Sequence, residues 1–350
     1  DLAPYKGLVS FKDVGDSWGL GFLRSYFEKC DSVYIATFPS NKWKETYAVS
    51  KKIMDHIRQI GPDYLHFDEF SARQLFMFPL LMAHRKKLIQ NVHDPKLHSG
   101  EADMVRSIFR KVLFRMISKY VVFSNFSRDQ LRQILPGNKE VFVSKLPLYT
   151  VYREFSKKDT SQGQGTGIIT FVGRISPYKG VDLFVEAADR VRKRLKNQKF
   201  VVAGKTAPGY SPDFLHGENT YIEVVNKFLE NEELVDIITH SELIVCPYRD
   251  ATQSGVVMTA YALGCPVLVT NTGGLPEYVT PEMGLVSQEI SAEGLATSMI
   301  EFVEGGYSKK MRSFIGQDSF KESFLAQIAG NFPKLYKRDV HESKNKDVRA

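Results

Sequence analysis

Apolar and polar positions alternate in short blocks along the chain. After Tyr5-Lys6-Gly7, a polar stretch holding Asp13, Gly15 and Asp16 leads into helical spacing through Leu20, Phe22, Leu23 and Phe27, and then the β-rich run DSVYIATFP. A helix from about Tyr47 to Ile60, the break Gly61-Pro62 and the strand DYLHF repeat the alternation. A third unit has a helix through Leu75 to Met82 and the strand KKLIQNV, which runs into the loop HDPKLHSGE; a helix from about Ala102 to Ser118 and the strand YVVFS follow. Strands and helices alternating at this spacing predict a parallel sheet covered on both faces.

The segment FSKKDTSQGQGTG, residues 155–167, is polar and without apolar periodicity, and reads as a linker. Beyond it the alternation resumes with GIITFVGR, a helix from Val181 to Leu195, KFVVAGK, a strand near Tyr221 and a helix around Asn231 to Ile238. LIVCPY, the helix after DATQSG, CPVLVTN and a helix near Leu295 to Val303 complete it. The expected architecture is α/β, with two doubly wound Rossmann-like domains, 1–154 and 168–318. Open parallel sheets bind ligands at the carboxyl ends of their strands, so two such domains facing each other would put a cleft between those ends. A final helix, 319–337, is spaced through Phe320, Phe324, Ile328, Phe332 and Tyr336, and 338–350 is a polar tail. DLAPYKG reads as the end of a strand, so the first strand of the fold is expected to lie upstream of residue 1.

The length of 350 residues suits two domains, and 43% hydrophobic with 25% charged residues excludes disordered and fibrous classes. Cys30, Cys246 and Cys265 are far apart and odd in number, so neither a disulfide framework nor a metal knuckle is built from them. A reducing, cytoplasmic compartment follows as the economical expectation. No uninterrupted apolar run approaches the roughly 20 residues of a membrane span, and no secretory pattern opens the chain. The net charge of +7 is uneven: residues 1–150 hold 23 Lys and Arg against 15 Asp and Glu, a net of +8, and the remainder carries −1.

Four strand-end loops of the second half could carry chemistry. In FVGRISPYKG, Gly173 is followed by Arg174 and, five residues on, Lys179; the pair can meet a diphosphate as a planar fork and a point charge, or stand as two solvated loop cations. VVAGKTAPGY offers Gly204 for close backbone approach and Lys205 as a third cation. In DATQSG, small side chains leave the amides of Gln253, Ser254, Gly255 and Val256 at a helix start, where free N–H groups favour a phosphate; Ser254 serves equally as a plain N-cap. TNTGGLPE supplies paired glycines, with Glu277 in the next helical turn. At about 1.5–3 kcal/mol for each charge-assisted hydrogen bond, several amides and two cations suffice for micromolar binding.

These loops, in this order, resemble the nucleotide-sugar domain of the family 4 (group 1) glycosyltransferases, which have the GT-B fold. The matching pieces are FVGRISPYKG, KFVVAGK, NKFLENEEL, ELIVCPY, GVVMTAYALGCPVLVTNTGGLPEYV and GLVSQEISAEGLATSM, from about Gly167 to Val303. The first half matches only in outline and in NVHD and VVFSNFSRDQL. The resemblance implies retaining, front-face transfer of a sugar from a UDP- or GDP-linked donor to a glycan or lipid-linked acceptor, with no resident cofactor. It implies that Arg174 and Lys179 neutralise the leaving diphosphate, that His93 faces sugar and acceptor, and that Phe228 and its neighbours contact the base. Tyr248, Asp250 and Thr252 would complete the donor side, and Tyr5, Lys6, Gly7, Asp94 and His98 the acceptor side. The final helix would cross back to the first domain, and family habit points to bacterial polysaccharide or lipopolysaccharide synthesis.

One departure is plain. Relatives commonly carry two glutamates, eight positions apart, across the DATQSG loop and its helix; counted back from Gly264-Cys265-Pro266, those positions are Ala251 and Thr259. Asp250 and the Thr259 hydroxyl are the candidates to replace them, and ATQSG is expected to mark a variant donor site. The missing carboxylates also leave open a non-catalytic nucleotide-sugar-binding protein of the same fold. No two aspartates stand two residues apart, so the DxD element of metal-dependent transferases is absent and no metal site is expected. A dinucleotide fingerprint fails at Gly19-Leu20-Gly21, where Arg24 replaces the third glycine. The cations are not interleaved with aromatics as in nucleic-acid modules, which argues against that partner. In EADMVRSIFRKVLFRMISK, Arg106, Arg110, Arg115 and Lys119 interrupt an apolar set that includes Val105, Ile108, Phe109, Val112, Leu113 and Met116. Such a helix either lies peripherally on an anionic bilayer or is a core helix with a solvated edge.

Overall fold

The computed structural model describes residues 7–38, 42–68, 76–96, 104–156, 167–215, 221–330 and 335–336. The chain divides into two compact units. The first comprises Asp1–Val92, Glu101–Val121 and Ile134–Val141; the second comprises His93–Gly100, Val122–Gln133 and Phe142–Ala350.

The chain begins with β1 (Leu8–Ser10), α1 (Phe11–Val14), α2 (Arg24–Phe27) and β2 (Tyr34–Ala36). β1 and β2 form an antiparallel ribbon, with Val9 opposite Ile35. This corrects the expectation that DSVYIATFP joins a parallel sheet. A parallel return needs a crossover long enough to carry the chain back along the strand, and α1 and α2 are single turns of four residues each. Then come α3 (Trp43–Ile60), β3 (Leu65–Phe67), α4 (Phe78–Ala83), β4 (Leu88–Asn91), α5 (Met104–Met116), β5 (Lys119–Val122), α6 (Asn125–Ile134) and β6 (Glu140–Val143). The sheet order is β3-β4-β5-β6, with β3/β4 and β4/β5 parallel. Lys119, expected on the cationic edge of a helix, is instead a buried residue of β5, its ammonium 3.9 Å from Glu140 and 5.8 Å from the centre of the Tyr64 ring.

The remaining elements are β7 (Ile168–Val172), α7 (Val181–Arg194), β8 (Lys199–Ala203), β9 (Ile222–Val225), α8 (Asn231–His240), β10 (Leu243–Cys246), α9 (Gly255–Ala262), β11 (Val267–Thr270), β12 (Gly284–Ser287), α10 (Ala292–Glu304), α11 (Tyr307–Gly316) and α12 (Asp318–Ala329). They build a six-stranded sheet in the order β12-β11-β10-β7-β8-β9, parallel throughout. All residues of β10 and β11 are buried, as strands covered on both faces must be. From β7 the chain moves outward through β8 to β9, then returns to the other side of β7 for β10. The connections leaving β7 and β10 therefore diverge, and the space at their carboxyl ends is where such sheets hold ligands.

α7 presents Val181, Phe184, Ala187, Ala188 and Val191 as its buried stripe. Phe184 is fully buried, with ring centres 6.1 Å from Phe171 on β7 and 6.0 Å from Phe200 on β8. It joins the helix that starts behind the Arg174–Lys179 loop to the two strands whose ends frame it. Phe184→Ala is expected to destabilise the second unit by about 3–5 kcal/mol through the cavity it leaves, read as a lower urea midpoint with an unchanged denaturant slope.

Candidate functional site

Two strand ends lie side by side at one edge of the site. The amide of Gly173 donates to the Ala203 carbonyl at 2.9 Å, and that of Gly204 to Val225 at 2.9 Å, which carries the ladder past β7 and β8. Gly204 has φ +144°, and a Cβ there would lie 1.9 Å from the Gly173 carbonyl oxygen, so only glycine permits the approach. Arg174 and Lys205 follow these glycines and are exposed. A cavity of about 520 Å³ opens here, lined by Gly173, Arg174, Gly204, Lys205, Phe228 and Val256 among others. Phe228, one of the lining residues, is 71% exposed.

Lys179 closes a short 3₁₀ turn, Pro177–Lys179, ahead of α7. Arg249, just past β10, holds that turn. Its amide donates to Tyr178 at 2.9 Å, Nη1 donates to the Pro177 carbonyl at 3.0 Å, and the guanidinium makes a two-pronged ion pair with Asp182 at 2.7 and 2.6 Å. The pairing holds the Asp182 carboxyl below its ordinary range against the opposing effect of burial. The Lys179 ammonium lies 3.6 Å from the centre of the Tyr248 ring and 5.2 Å from that of Tyr178. Burial pulls this lysine down to about 8, with Arg174 adding to the effect and Cys246 and Asp94 opposing it. Burial likewise pushes the Cys246 thiol and the Tyr248 phenol up.

The DATQSG loop joins β10 to α9. Asp250 is exposed and Ala251 buried. The Ala251 carbonyl accepts from the Gly274 amide at 3.2 Å, and a Cβ on Gly273 (φ +54°) would lie 1.6 Å from that same oxygen. The Thr252 hydroxyl donates to the Asp94 carboxylate, and the Thr252 carbonyl accepts from Ser124 Oγ at 3.2 Å. Gln253 Nε2 stands 2.9 Å from His93 Nδ1. Ser254 is the N-cap of α9, its Oγ accepting from the Val257 amide at 3.4 Å and lying 3.3 Å from the Tyr248 hydroxyl. Gly255 and Val256 occupy the first two helical positions, whose amides have no intrahelical partner by the geometry of a helix start. Thr259 is buried in a helix that is apolar almost all round, and its hydroxyl donates back to the Gly255 carbonyl at 2.9 Å. The same bond that satisfies it inside α9 leaves only its lone pairs for any other contact.

Glu277, in the fourth loop, has a definite task. Its carboxylate accepts from the amides of Asn125 and Phe126 at 2.8 and 2.9 Å and from Asn125 Nδ2 at 2.8 Å, which caps the start of α6 with a full negative charge. Lys145 donates to the Glu277 carbonyl at 2.5 Å.

The structure thus pairs His93 with Gln253, Asp94 with Thr252 and Tyr248 with Ser254, sets Lys179 over the Tyr248 ring, and places Gly173, Arg174, Gly204, Lys205, Phe228 and Val256 around the cavity. Gly7 sits in the first unit, exchanging hydrogen bonds with Thr37 at the end of the β1/β2 ribbon. Tyr5, Lys6 and His98 lie outside the described residues. Sequence reasoning did not find Arg249, Asp182 or the capping role of Glu277. Their partners lie 67 and about 150 residues away, beyond the reach of any local spacing rule.

Residues 166–304 match the family described as Glycosyl transferases group 1. Among curated proteins, a D-inositol 3-phosphate glycosyltransferase of Corynebacterium aurimucosum is 24% identical over 66% of this chain and 59% of its own length. One from Corynebacterium glutamicum is 29% identical over 55% of this chain and 48% of its length, so the chain spans about half to three fifths of these relatives. A GDP-mannose-dependent monoacylated alpha-(1-6)-phosphatidylinositol monomannoside mannosyltransferase of Corynebacterium glutamicum is 21% identical over 87% of this chain and 84% of its length. Among solved structures, Anabaena HepE in complex with UDP-glucose is similar with a TM-score of 0.64 and 14% identity, over 90% of this chain and 89% of that one. Sucrose-phosphate synthase from Thermosynechococcus elongatus follows at 0.57 and 15%, over 88% and 79%. The fold is therefore GT-B, and residues 166–304 are a Glycosyl transferases group 1 domain.

Proposed function

We propose that the chain is a retaining, metal-independent glycosyltransferase that moves a sugar from a nucleoside diphosphate sugar to a glycan or lipid-linked acceptor. The observation that carries this reading is the cavity of about 520 Å³ at the ends of β7 and β8, beside the start of α9. There Arg174, Lys205 and the first-turn amides of α9 offer positive charge and donors to a diphosphate, and Phe228 offers an aromatic face to a base. Lys179 adds a third cation, held over the Tyr248 ring. In the transfer, the acceptor oxygen bonds to the anomeric carbon as the bond to the diphosphate breaks, and the acceptor proton passes to the leaving phosphate. No protein nucleophile is needed. The charge that grows on the leaving group falls to Arg174, Lys179 and the amides, the kind of fixed stabilisation that dominates such steps. HepE in complex with UDP-glucose and the GDP-mannose-dependent relative support a nucleotide-sugar donor; the phosphatidylinositol monomannoside named for the latter supports a lipid-linked acceptor.

A setting at the cytoplasmic face of a bacterial membrane, in cell-surface polysaccharide synthesis, fits the same reading. Among the described residues no helix is long and apolar enough to cross a membrane. α5 supports peripheral binding instead, since Ile108 (58%) and Val112 (40%) are exposed beside exposed Lys111 and Arg115.

The test is transfer of labelled sugar, with the donor first selected by thermal stabilisation against a panel of nucleotide sugars. Arg174→Ala and Lys179→Ala are each expected to lower kcat by about 10²–10³, and chelation to leave transfer unchanged. Donor release by none of the panel, or rescue of chelated enzyme by manganese, would overturn the reading. The Lys179 ammonium is charged below about 8 and neutral above it, so donor affinity falls as pH rises through that value. The kcat/KM profile should show an alkaline limb there, absent in Lys179→Arg, whose guanidinium keeps its charge. Co-sedimentation with anionic liposomes should weaken with added salt and drop to background in a Lys111→Glu/Arg115→Glu variant.

A further inference from the structure

Gln253 entered the site through its backbone amide, yet its side chain has the more specific geometry. We propose that Gln253 is a positioning residue for His93, holding the imidazole as a neutral ring that presents an N–H at Nε2. This rests on the reading of His93 as the histidine that faces the transferred sugar.

Three observations carry it. Gln253 Nε2 lies 2.9 Å from His93 Nδ1, and an amide nitrogen has only hydrogens to offer, so Nδ1 accepts and the ring proton sits on Nε2. Turning the amide over would reverse the roles. It would place Nε2 where Oε1 now stands buried without a partner, and an orphaned buried donor is rarer than an orphaned acceptor. The ring's tilt is set separately by Phe123, whose ring centre is 4.8 Å away at 31°.

The neighbouring contact supplies the register. Thr252 donates to Asp94 while Gln253 donates to His93, so two consecutive residues of the DATQSG loop hold two consecutive residues that follow β4. A one-residue slip would put Thr252 or Ser254 opposite His93 in place of the amide. Asp94 Oδ1 is occupied by the Thr252 hydroxyl, and it is the uncharged amide that meets the imidazole. The outcome is a histidine whose accepting edge is turned to Gln253 and whose proton sits at Nε2.

The experiment is ¹⁵N NMR of the full chain with labelled imidazoles, well above the usual histidine range, the His93 signals being assigned by their loss in His93→Gln. The expected result is a protonated Nε2 and a hydrogen-bonded, bare Nδ1. In Gln253→Glu, whose carboxylate can only accept, the proton should move to Nδ1. In the near-isosteric Gln253→Leu, it should stay on Nε2 while the Nδ1 resonance shifts to that of an unbonded ring nitrogen. Gln253→Glu should also lower kcat by about tenfold with a smaller change in KM for the donor, the signature of an interaction made in the transition state. A wild-type ring protonated on Nδ1, or His93 signals unmoved in both variants, would overturn the positioning role even if transfer is robust. The expected NMR pattern with no transfer from any nucleotide sugar would instead sink the functional reading and leave the Gln253–His93 pairing standing.

Discussion

The site depends on backbone approaching backbone where no side chain fits. The carbonyl of Gly173 lies where a Cβ on Gly204 would begin, and the carbonyl of Ala251 lies where one on Gly273 would begin. Each contact draws the loop after one strand against the loop after another. The ends of β7 and β8 close up in the first case, and the loops following β10 and β11 in the second. With the strands fixed in one parallel sheet, this crowding leaves little choice for where Arg174, Lys205 and the start of α9 stand. The usual cost of glycine, its freedom in the unfolded chain, is offset by the packing it permits.

Electrostatics then completes what sterics begins. Lys179 is placed against two tyrosine rings and desolvated, which works against its own charge. Under the proposed function, a diphosphate would reverse that balance by giving the lysine an anionic partner. Arg249 keeps the arrangement from relaxing. By pairing with Asp182 in the first turn of α7 and binding the Pro177 and Tyr178 carbonyls, it ties the lysine's turn to the end of β10. Glu277 plays the matching part on the other side, joining the loop after β11 to the start of α6.

Much of the framework was legible in local pattern. β7, β8, β10 and β11 fall within the apolar runs that announced them, and α7 spans Val181–Arg194 against an expected Val181 to Leu195. Such strands and helices are set by burial period and by short-range propensity. The β1/β2 ribbon was not legible, because a three-residue strand carries too little pattern to show its direction. Nor was the fate of Lys119, whose helical spacing continued past the last turn of α5 into a strand. Thr259 could be counted from Gly264, but its hydroxyl's bond to Gly255 follows from burial of the whole of α9, which composition alone does not reveal.

What the sequence determined by itself was the alternation of strands and helices through most of the second half, the placing of small residues at strand ends, and Ala and Thr at positions 251 and 259. These are properties of neighbours along the chain, read from period and residue type. Tertiary structure decided which partners each polar group would meet. Gln253 found His93 160 residues away, Thr252 found Asp94, and Arg249 found Asp182. Hydrogen bonds and ion pairs act over about 3 Å of space, so a one-dimensional pattern carries no record of them until the sheet order has brought the loops together.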